Sequence, residues 1–316
     1  MSGRILVVGS SNVDLILRIP RFHGPGETIT GESLVTSFGG KGANRAIAAK
    51  RLGGRVSFIT KLGDDQYGTA CRSNLIKHGF NRRGIRRDKE HPTGLALIEL
   101  IPGGENRIIV SPGANGCLSP EDLQGLASFW NGIKVFVTQF EVPVPTVRKV
   151  LEMSRDHGAV TLLNPSPVTR FPLSLLSMVD FLVPNEWEAQ ALTGLRIKQE
   201  HDIPKIAARL VSMGASNVII TLGPKGLFFK NREVEIRMKA FRVKALDSTA
   251  AGDAFVGALA CGLSENKPIG NALAFASGAG ALATTKLGAQ PSLPLTSELD
   301  QFLAPLEKGG KALRLR

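Results

Sequence analysis

Residues 135–163 read VFVTQFEVPVPTVRKVLEMSRDHGAVTLL. A short apolar run at 135–138 leads into a helical pattern at 146–157, which ends at Gly158, and a second apolar run follows at 160–163. Glycine commonly lies just beyond a helix end, and short apolar runs with β-branched residues are typical of buried strands. The stretch therefore predicts a strand, a helix and a second strand, the unit from which parallel sheets are built.

The same alternation continues on both sides of this unit. Further buried strands are predicted at 5–8, 56–60, 181–183 and 218–221. A second helix is predicted at 203–213, before Gly214, and a third is expected to begin at Ser119, because Pro120 follows it at the first helical position. Strands that alternate with helices predict an α/β fold with three α/β/α layers and a mostly parallel sheet.

Two stretches, 15–38 and 93–111, interrupt this alternation. Both alternate apolar with polar residues and contain turn signals, which predicts antiparallel strands outside the main sheet. At about 150 residues per domain, the 316 residues would suggest two domains. Because both stretches fall inside the strand and helix alternation, we expect one domain over 1–316 with a small β lid inserted from them.

Composition excludes several classes of protein. Hydrophobic residues make up 43% and charged residues 21% of the chain, as in folded globular proteins and unlike disordered or coiled-coil chains. The first apolar run is too short for a signal peptide and no run of 18 apolar residues occurs, so neither export nor a membrane partner is expected. Cys71, Cys117 and Cys261 are widely separated, which is typical of reduced thiols in a cytoplasmic protein.

The chain is basic, with 39 Lys and Arg against 27 Asp and Glu, a net charge of +12 and a pI near 9.9. This excess raises the question of an anionic partner. The basic residues cluster at Arg82, Arg83, Arg86, Arg87 and Lys89, and again at Lys308, Lys311, Arg314 and Arg316. Neither cluster contains interleaved aromatic residues, so we interpret both as solvated surface and expect no nucleic-acid partner.

Polar residues follow strand after strand of the predicted sheet. They are Asn12 and Asp14, Glu141, Asn164, Asn185 with Glu188, and Thr221. A single Asn in such a place is usually a turn residue or a helix cap. Ligands of open α/β sheets collect at the carboxyl ends of the strands, and several such residues together predict a site there.

The segment Gly39-Gly40-Lys41-Gly42-Ala43-Asn44 precedes an alanine-rich helical pattern that runs to Leu52. Glycines allow close approach of a ligand to the backbone, and a helix start offers free N–H groups. A plain strand-to-helix turn explains the segment equally well. Residues 278–283 match the dinucleotide pattern G-x-G-x-x-A but follow helical sequence, so we interpret them as tight helix packing.

The most informative segment is Asp247-Ser248-Thr249-Ala250-Ala251-Gly252-Asp253-Ala254-Phe255, which leads into a helix of small residues. Small side chains at 250–252 leave backbone N–H groups open to the charge of a transferred phosphoryl group. Asp253 beside them is placed to accept a proton from an attacking hydroxyl. The alternative is that Asp253 only caps the helix and interacts with its dipole.

Taken together, these segments resemble the ribokinase-like, or phosphofructokinase-B, family of carbohydrate kinases from about residue 5 to residue 302. Further matches are 12–14, 25–28, Gly113-Ala114-Asn115, Asn185 with Glu188, 221–223 and 288–292. The resemblance implies an enzyme that uses ATP to phosphorylate the primary hydroxyl of D-ribose, giving ribose 5-phosphate. It implies that Asp253 is the base and that Ala250, Ala251 and Gly252 supply the anion hole.

The resemblance also implies roles for other positions. Contacts to the sugar fall to Asn12, Asp14, Gly39, Gly40, Lys41, Gly42, Asn44 and Glu141. Contacts to the nucleotide fall to Asn185, Thr221, Gly223, Gly226, Gly252 and Ser277. Asn185 and Glu188 are implied to organise Mg²⁺ through water, and a K⁺ ion is implied at Asp247, Thr249, Ala283, Lys286, Gly288 and Ser292.

Some expectations depend on details of this chain. Arg45 follows Asn44 at a position where the family often has Gln, and we expect it to face away on its helix, with a role in tuning specificity as the alternative. Lys286 is expected to contribute only its carbonyl. The lid is expected to close over the sugar and to form a homodimer contact.

The sequence is compatible with more than one substrate and with one function other than catalysis. Alternatives are another kinase of the family, acting on deoxyribose, fructose, a keto-deoxy sugar acid or a nucleoside, and a sugar-binding regulator without activity. The intact Asp253 segment argues against the regulator, because a pure binder needs no base.

Overall fold

The computed structural model describes residues 3–308. The strands are β1 Arg4–Val8, β2 Asn12–Arg18, β3 Ser33–Gly39, β4 Arg55–Gly63, β5 Ile85–Asp88, β6 Gly94–Leu100, β7 Asn106–Ser111, β8 Ile133–Thr138, β9 Val160–Leu163, β10 Phe181–Leu182, β11 Asn217–Thr221, β12 Leu227–Lys230 and β13 Glu235–Met238. The helices are α1 Lys41–Arg51, α2 Gln66–Lys77, α3 Ala127–Trp130, α4 Val144–Asp156, α5 Glu186–Thr193, α6 Asp202–Ser212, α7 Ala251–Ser264, α8 Ile269–Ala283 and α9 Thr296–Lys308.

The central sheet has nine strands in the order β13-β12-β11-β10-β9-β8-β1-β4-β5. All neighbours from β11 to β5 pair in parallel, whereas β12 and β13 add antiparallel strands at one edge. Consecutive residues of β1 enter two cores: Ile5 and Val7 belong to the core that includes α1 and α7, and Leu6 and Val8 to the core that includes α4 and α6. Apolar side chains on both faces require helices on both faces, which confirms the predicted α/β/α layers.

The predicted elements mostly match, with one correction. The strand at 160–163 is observed with those bounds, and the helix predicted at 146–157 is α4. The helix expected from Ser119 is wrong in extent: only a 3₁₀ turn, Pro120–Leu123, follows the capping box of Ser119 and Asp122. Gly125 then takes φ of +70°, which ends the turn before the short α3.

The second sheet has four strands in the order β3-β2-β6-β7 and corresponds to the predicted lid. The outer pairs, β2 with β3 and β6 with β7, are antiparallel as expected, but the central pair, β2 with β6, is parallel. These two strands are joined by the long segment through α1, β4, α2 and β5, and such a crossover is what parallel pairing needs. Strand β2 begins at Asn12, earlier than predicted, so the lid is rooted directly beside β1.

Two other features can be placed on the fold. In the predicted G-x-G-x-x-A segment, a Cβ at Gly278 would lie 3.0 Å from both Leu299 and Leu303 of α9, so the segment is tight helix packing as interpreted. In residues 3–308, no helix combines the length and the apolar character that crossing a membrane requires.

The basic cluster at residues 82–89 is partly engaged within the protein. Arg83 donates to the carbonyl of Gly125 at 2.9 Å, Arg86 donates to that of Asp122 at 2.7 Å, and Arg87 pairs with an aspartate, Asp64. Hence three of these cations already have acceptors. The basic tail predicted from residue 308 onward lies outside the described side chains.

Candidate active site

A cavity of about 970 Å³ lies between the main sheet and the lid. Its lining includes residues that the sequence assigned to the sugar or to catalysis: Asn12, Asp14, Gly40, Lys41, Asn44, Glu141, Ala250 and Asp253. The lid contributes Ala96 and Ile98 of β6 together with Ile108 and Val110 of β7. The starts of α1 and α7 therefore form one side of the cavity and the lid forms the other.

Gly39 and Gly42 support this cavity from outside its lining. A Cβ at Gly39 would overlap the carboxylate of Asp14, and one at Gly42 would lie 2.6 Å from backbone atoms of Gly9. Gly40 has φ of +89°, a conformation that glycine adopts without steric cost. These glycines let the backbone pass close to Asp14 and to the connection between β1 and β2.

Glu141 is held by groups from three parts of the chain. Its Oε2 accepts hydrogen bonds from the hydroxyl of Ser10 at 2.5 Å and from the backbone N–H of Lys41 at 3.0 Å. The Ser10 hydroxyl in turn accepts from the amide of Gln139 at 3.0 Å and from the N–H of Gly42 at 3.2 Å. The carboxylate is thus fixed at the end of β8, against the start of α1.

Asn12 is fixed in a similar way by Asn115. The amide of Asn115 donates to Oδ1 of Asn12 at 2.6 Å, and its Oδ1 accepts from the N–H of Ser11 at 2.9 Å. Sequence reasoning gave no site role to Asn115, Ser10 or Gln139. Asn115 occurred within a matching segment, which was the available signal, whereas nothing in the local sequence singles out Ser10 or Gln139.

Three carboxylates, those of Asp14, Glu141 and Asp253, face this cavity. Burial, together with the negative charges of Glu141 and Asp253, raises the pKa of Asp14 to about 7, while the Lys41 ammonium opposes this rise. Burial disfavours a charged carboxylate, and like charges nearby do the same. Asp14 therefore changes its charge near neutral pH in the unliganded protein.

The start of α7 is open in the way that the sequence suggested. Ala250 takes a left-handed conformation with φ of 60°, unusual for a residue with a side chain, and caps the helix without a side-chain hydrogen bond. The N–H of Ala251 donates to the carbonyl of Ser248 at 3.2 Å, whereas those of Gly252 and Asp253 donate to no group in the described part of the chain. A Cβ at Gly252 would meet nothing within 4 Å, so protein packing does not require glycine there.

The carboxylate of Asp253 accepts two side-chain hydrogen bonds. Asn44 donates to Oδ2 at 2.9 Å, and the Nε of Arg45 donates to Oδ1 at 2.9 Å. The expectation that Arg45 faces away is wrong. Helix α1 is enclosed along residues 42–49, so it offers no solvent face at that position, and the guanidinium reaches Asp253 and Asn164 instead.

A second group of predicted residues gathers at the carboxyl ends of β10 and β11. Asn185 and Glu188 form a capping box at the start of α5, with hydrogen bonds of 2.8 and 2.9 Å between each backbone N–H and the other side chain. Thr221 lies beside Asn185 through an isolated parallel bridge. Glu188 also accepts from Asn164 at 3.2 Å, which connects this group to Arg45. These residues lie outside the lining of the 970 Å³ cavity.

Gly226 and Ser277 meet around Met238 at the end of β13. The hydroxyl of Ser277 donates to the sulfur of Met238 at 3.7 Å, and a Cβ at Gly226 would overlap the Met238 carbonyl. Gly226 and Gly223 have φ values of 102° and 55°, so the turn after β11 needs glycine at both. Gly223, Gly226 and Ser277 thus lie outside the lining of the 970 Å³ cavity, which holds most of the residues assigned to the sugar.

The predicted cation segment is a loop that Asp247 holds together. Its Oδ1 accepts from the N–H of Thr249 and its Oδ2 from that of Gly288, both at 2.8 Å. The ammonium of Lys286 lies 2.5 Å from Glu298 and so is directed to that carboxylate. The remaining positions are Ala283, at the end of α8, and Ser292, whose hydroxyl donates to the carbonyl of Ala289 at 2.8 Å.

The α/β/α fold, the cavity lined with carboxylates and the open start of α7 define a small-molecule kinase. Residues 2–296 match the pfkB family carbohydrate kinases, and the chain belongs to that family.

Several named relatives match the chain over nearly its whole length. A ribokinase of Staphylococcus aureus is 36% identical over 303 residues, covering 95% of this chain and 100% of that protein. A deoxyribokinase of Salmonella typhi is 35% identical, covering 95% of this chain and 98% of that protein. The structure of Arabidopsis thaliana ribokinase complexed with ribose and ATP has a TM-score of 0.87 at 30% identity, covering 96% of this chain and 99% of that one.

Proposed function

We propose that this chain is an ATP-dependent kinase that transfers a phosphoryl group to the primary hydroxyl of D-ribose, giving ribose 5-phosphate and ADP. The observation that carries the proposal is the position of Asp253. Its carboxylate faces the cavity, and it belongs to the first turn of a helix whose N–H groups at 252 and 253 have no acceptor among the described residues.

The cavity suits a small molecule with several hydroxyl groups. Carboxylates at Asp14 and Glu141 accept hydrogen bonds, and the amides of Asn12 and Asn44 both donate and accept. The buried Oδ1 of Asn44 has no partner within residues 3–308, so it is free to accept from a sugar hydroxyl. An analogue lacking one hydroxyl leaves such a group unpaired, which gives the site its selectivity. Gly39, Gly40, Lys41 and Gly42 shape this wall.

In the reaction, Asp253 accepts the proton of the primary hydroxyl as that oxygen attacks the terminal phosphorus of ATP. The new O–P bond forms while the bond from that phosphorus to the bridging oxygen breaks, and ADP leaves with the electron pair. Negative charge on the transferred group is stabilised by N–H groups at the start of α7, at Ala250, Ala251 and Gly252, with the Asp253 N–H beside them. The N–H of Ala251 also donates to the Ser248 carbonyl, so its contribution to stabilising this charge is the smallest in this conformation.

The nucleotide would lie across the second group of residues. Gly252 offers open space for a phosphate, because no protein atom lies within 4 Å of its Cβ position. Thr221 and Asn185 lie side by side at the strand ends, the turn with Gly223 and Gly226 follows β11, and Ser277 of α8 contacts Met238. Ligands of open sheets bind at these strand ends, which supports the assignment of ATP here.

Glu188 and Asn185 fit a role in holding Mg²⁺ through water. One oxygen of Glu188 is used by Asn164 and the backbone of Asn185, whereas its Oε1 accepts no hydrogen bond from the described residues. Mg²⁺ prefers oxygen ligands and usually keeps several waters. When bound, the ion neutralises charge on the phosphates.

We also propose that K⁺ binds the loop held by Asp247. The assigned positions are Asp247, Thr249, Ala283, Lys286, Gly288 and Ser292. Backbone carbonyls and one carboxylate suit a hard cation, and the charge of Lys286 does not oppose it because its ammonium pairs with Glu298. An ordered loop at this place supports the start of α7, which follows it directly.

The proposal extends to assembly and location. Leu34 and Val35 of β3 and Ile108 and Ile109 of β7 are each more than half exposed, and exposed apolar side chains on the two edge strands of the lid suit a homodimer contact. We also infer that residues 1–316 form one domain with the lid inserted from about 15–38 and 93–111.

A cytoplasmic location suits Cys71 and Cys261, which are buried free thiols.

Deoxyribose is the second candidate substrate, because the deoxyribokinase relative is nearly as similar as the ribokinases. The two sugars differ by one hydroxyl. The test is ADP release with Mg-ATP across ribose, deoxyribose, fructose, a keto-deoxy sugar acid and a nucleoside, with ³¹P NMR of the product. We expect the highest kcat/KM with ribose and a phosphate on its primary hydroxyl. Preference for another acceptor would reassign the substrate, and binding without turnover would favour the regulator.

A further inference from the structure

Helix α1 carries a buried guanidinium, that of Arg45, beside the cavity. Only 2% of the residue is exposed. Its Nε donates to Oδ1 of Asp253 at 2.9 Å, and one terminal nitrogen donates to Oδ1 of Asn164 at 2.6 Å. The other terminal nitrogen has no acceptor in residues 3–308. Arg45 does not line the cavity, so it acts on the site through the groups it touches.

Stability alone does not account for a cation in this place. Burying a guanidinium is costly, and a buried ion pair often contributes less to stability than apolar side chains of the same volume. The main effect of this pair is therefore on Asp253 itself. A bond to Nε fixes one oxygen of the carboxylate, and the bond from Asn44 fixes the other, so the side chain is held in one orientation.

The charges around Asp253 give Arg45 a second effect. Asp14 of β2 and Glu141 after β8 add negative charge, and Lys41 at the start of α1 lines the cavity as a cation. Unlike charges attract and like charges repel, so Asp253 needs an opposite charge close by to offset the two carboxylates. A proton acceptor must be ionised before the reaction begins. Arg45 supplies that opposite charge at contact distance.

Arg45 also joins the two halves of the site. Asn164 accepts from Arg45 and donates to Oε2 of Glu188 at 3.2 Å, and the same oxygen accepts from the N–H of Asn185. A continuous series of hydrogen bonds therefore runs from the proposed base to the proposed metal-organising carboxylate. The middle of this series, Arg45 and Asn164, is buried.

We propose that Arg45 is a positioning residue that orients Asp253 for proton transfer, and that Arg45 and Asn164 couple this base to Glu188. This inference rests on the proposed function, because it assumes that Asp253 is the base.

The first test compares Arg45→Met, Arg45→Gln and Arg45→Lys with the unmodified enzyme, using the pH dependence of kcat with ribose. Methionine removes charge and hydrogen bonds, glutamine keeps a donor without charge, and lysine keeps the charge. We expect the pH profile of kcat to change in the Met and Gln variants, and Lys to restore part of the unmodified profile. At pH 6.5 kcat falls about tenfold, while KM for ribose changes less than about threefold.

The matched control is Arg86→Met. Arg86 is also partly buried and donates to backbone carbonyls, at Asp122 and Gln124, but it lies outside the cavity lining. This variant is expected to keep the unmodified pH profile. Thermal unfolding of every variant separates a loss of folded protein from a change in the profile. If the Met variant does not fold, the Gln and Lys variants carry the test.

The second test is a double-mutant cycle of Arg45→Gln and Asn164→Ala, read as kcat and as the Mg²⁺ concentration for half-maximal rate. Coupling predicts that Asn164→Ala raises the Mg²⁺ requirement and that the two changes are not additive. Arg45 variants with the unmodified pH profile, or strict additivity, would overturn the inference while leaving the proposed function intact. An unmodified enzyme that phosphorylates no sugar would overturn the proposed function and this inference with it.

Discussion

The amide of Asn44 donates a hydrogen bond of 2.9 Å to Oδ2 of Asp253. The two residues are 209 positions apart and belong to the two segments that the sequence singled out. The contact sets the first turn of α1 against the first turn of α7 at the wall of one cavity. Sugar binding and proton transfer are therefore parts of a single site, and a change on one side is expected to be felt on the other.

Affinity for ribose should depend on pH through Asp14. Its pKa of about 7 means that the carboxyl group is largely protonated at pH 6 and loses acceptor capacity. We expect the association constant, measured by calorimetry without ATP, to fall by up to about tenfold per pH unit below pH 7 and to level off above pH 8.

The variant Asp14→Asn supplies the control for this dependence. It should bind ribose weakly at every pH, without the step near pH 7. A raised carboxyl pKa also costs the folded state stability once the pH exceeds the unfolded value of 3.8. The variant is thus expected to unfold at a higher temperature than the unmodified protein at pH 8 and at a similar one near pH 4. A pH-independent affinity of the unmodified protein would contradict the role given to Asp14.

The open start of α7 can be tested with two glycines of the same helix. Gly252→Ala adds a methyl group into empty space, so the melting temperature should change little, by about 2 °C or less. The same methyl group would occupy space proposed for a phosphate, and we expect kcat/KM for ATP to fall by about tenfold or more.

Gly257→Ala is the matched control, in which the same methyl group is added at a crowded position of the same helix. Its Cβ would lie 2.7 Å from Ala48 and 2.8 Å from the carbonyl of Arg45 on α1, so the substitution should lower stability clearly, by about 1–3 kcal/mol. An active Gly252→Ala enzyme with normal kcat/KM for ATP would argue against phosphate binding at this position.

The limits of sequence-based prediction can be seen at two residues. Asp253 was predictable because small residues and a carboxylate at a helix start have a local chemical meaning. Arg45 was not, because its environment is set by the enclosure of α1 along residues 42–49, which depends on contacts with distant elements. The same reason applies to Ser10 and Gln139, which act through Glu141.

The lid shows a related limit at the level of strands. Its alternating pattern predicted where strands lie but not that β2 and β6 pair in parallel, because pairing direction depends on the crossover between them. The parallel sheet itself was predictable from the repeated strand, helix and strand order. The antiparallel edge of β12 and β13 was not identified.

Potassium should activate the enzyme through the loop of Asp247. At fixed ionic strength, exchange of Na⁺ for K⁺ is expected to raise kcat by about threefold or more, because an ordered loop supports the start of α7. Asp247→Asn should abolish the difference between the two ions. The control is Asp202→Asn, since Asp202 also accepts two backbone hydrogen bonds but lies at the start of α6. Equal rates in both ions would count against the cation site.

The lid face is expected to form the dimer contact. Ile109→Asp places a charge on a side chain that is 63% exposed on β7, so it should shift a dimer to monomer in light scattering at micromolar concentration without lowering the melting temperature of the monomer. Leu173→Asp, at an exposed leucine outside the lid, is the control and should leave the assembly unchanged. If the unmodified protein is a monomer in the same measurement, the proposed dimer is wrong.

The role of Asp253 as the base that removes the proton from the primary hydroxyl of ribose is the step on which the proposed function depends. Its most direct test is Asp253→Asn, in which an amide of the same shape cannot accept that proton, studied by ribose binding and by ribose-dependent ADP release on the same preparation. We predict that the dissociation constant for ribose changes less than about fivefold while turnover falls by about 10²-fold or more. Turnover within a few-fold of the unmodified enzyme would contradict this role.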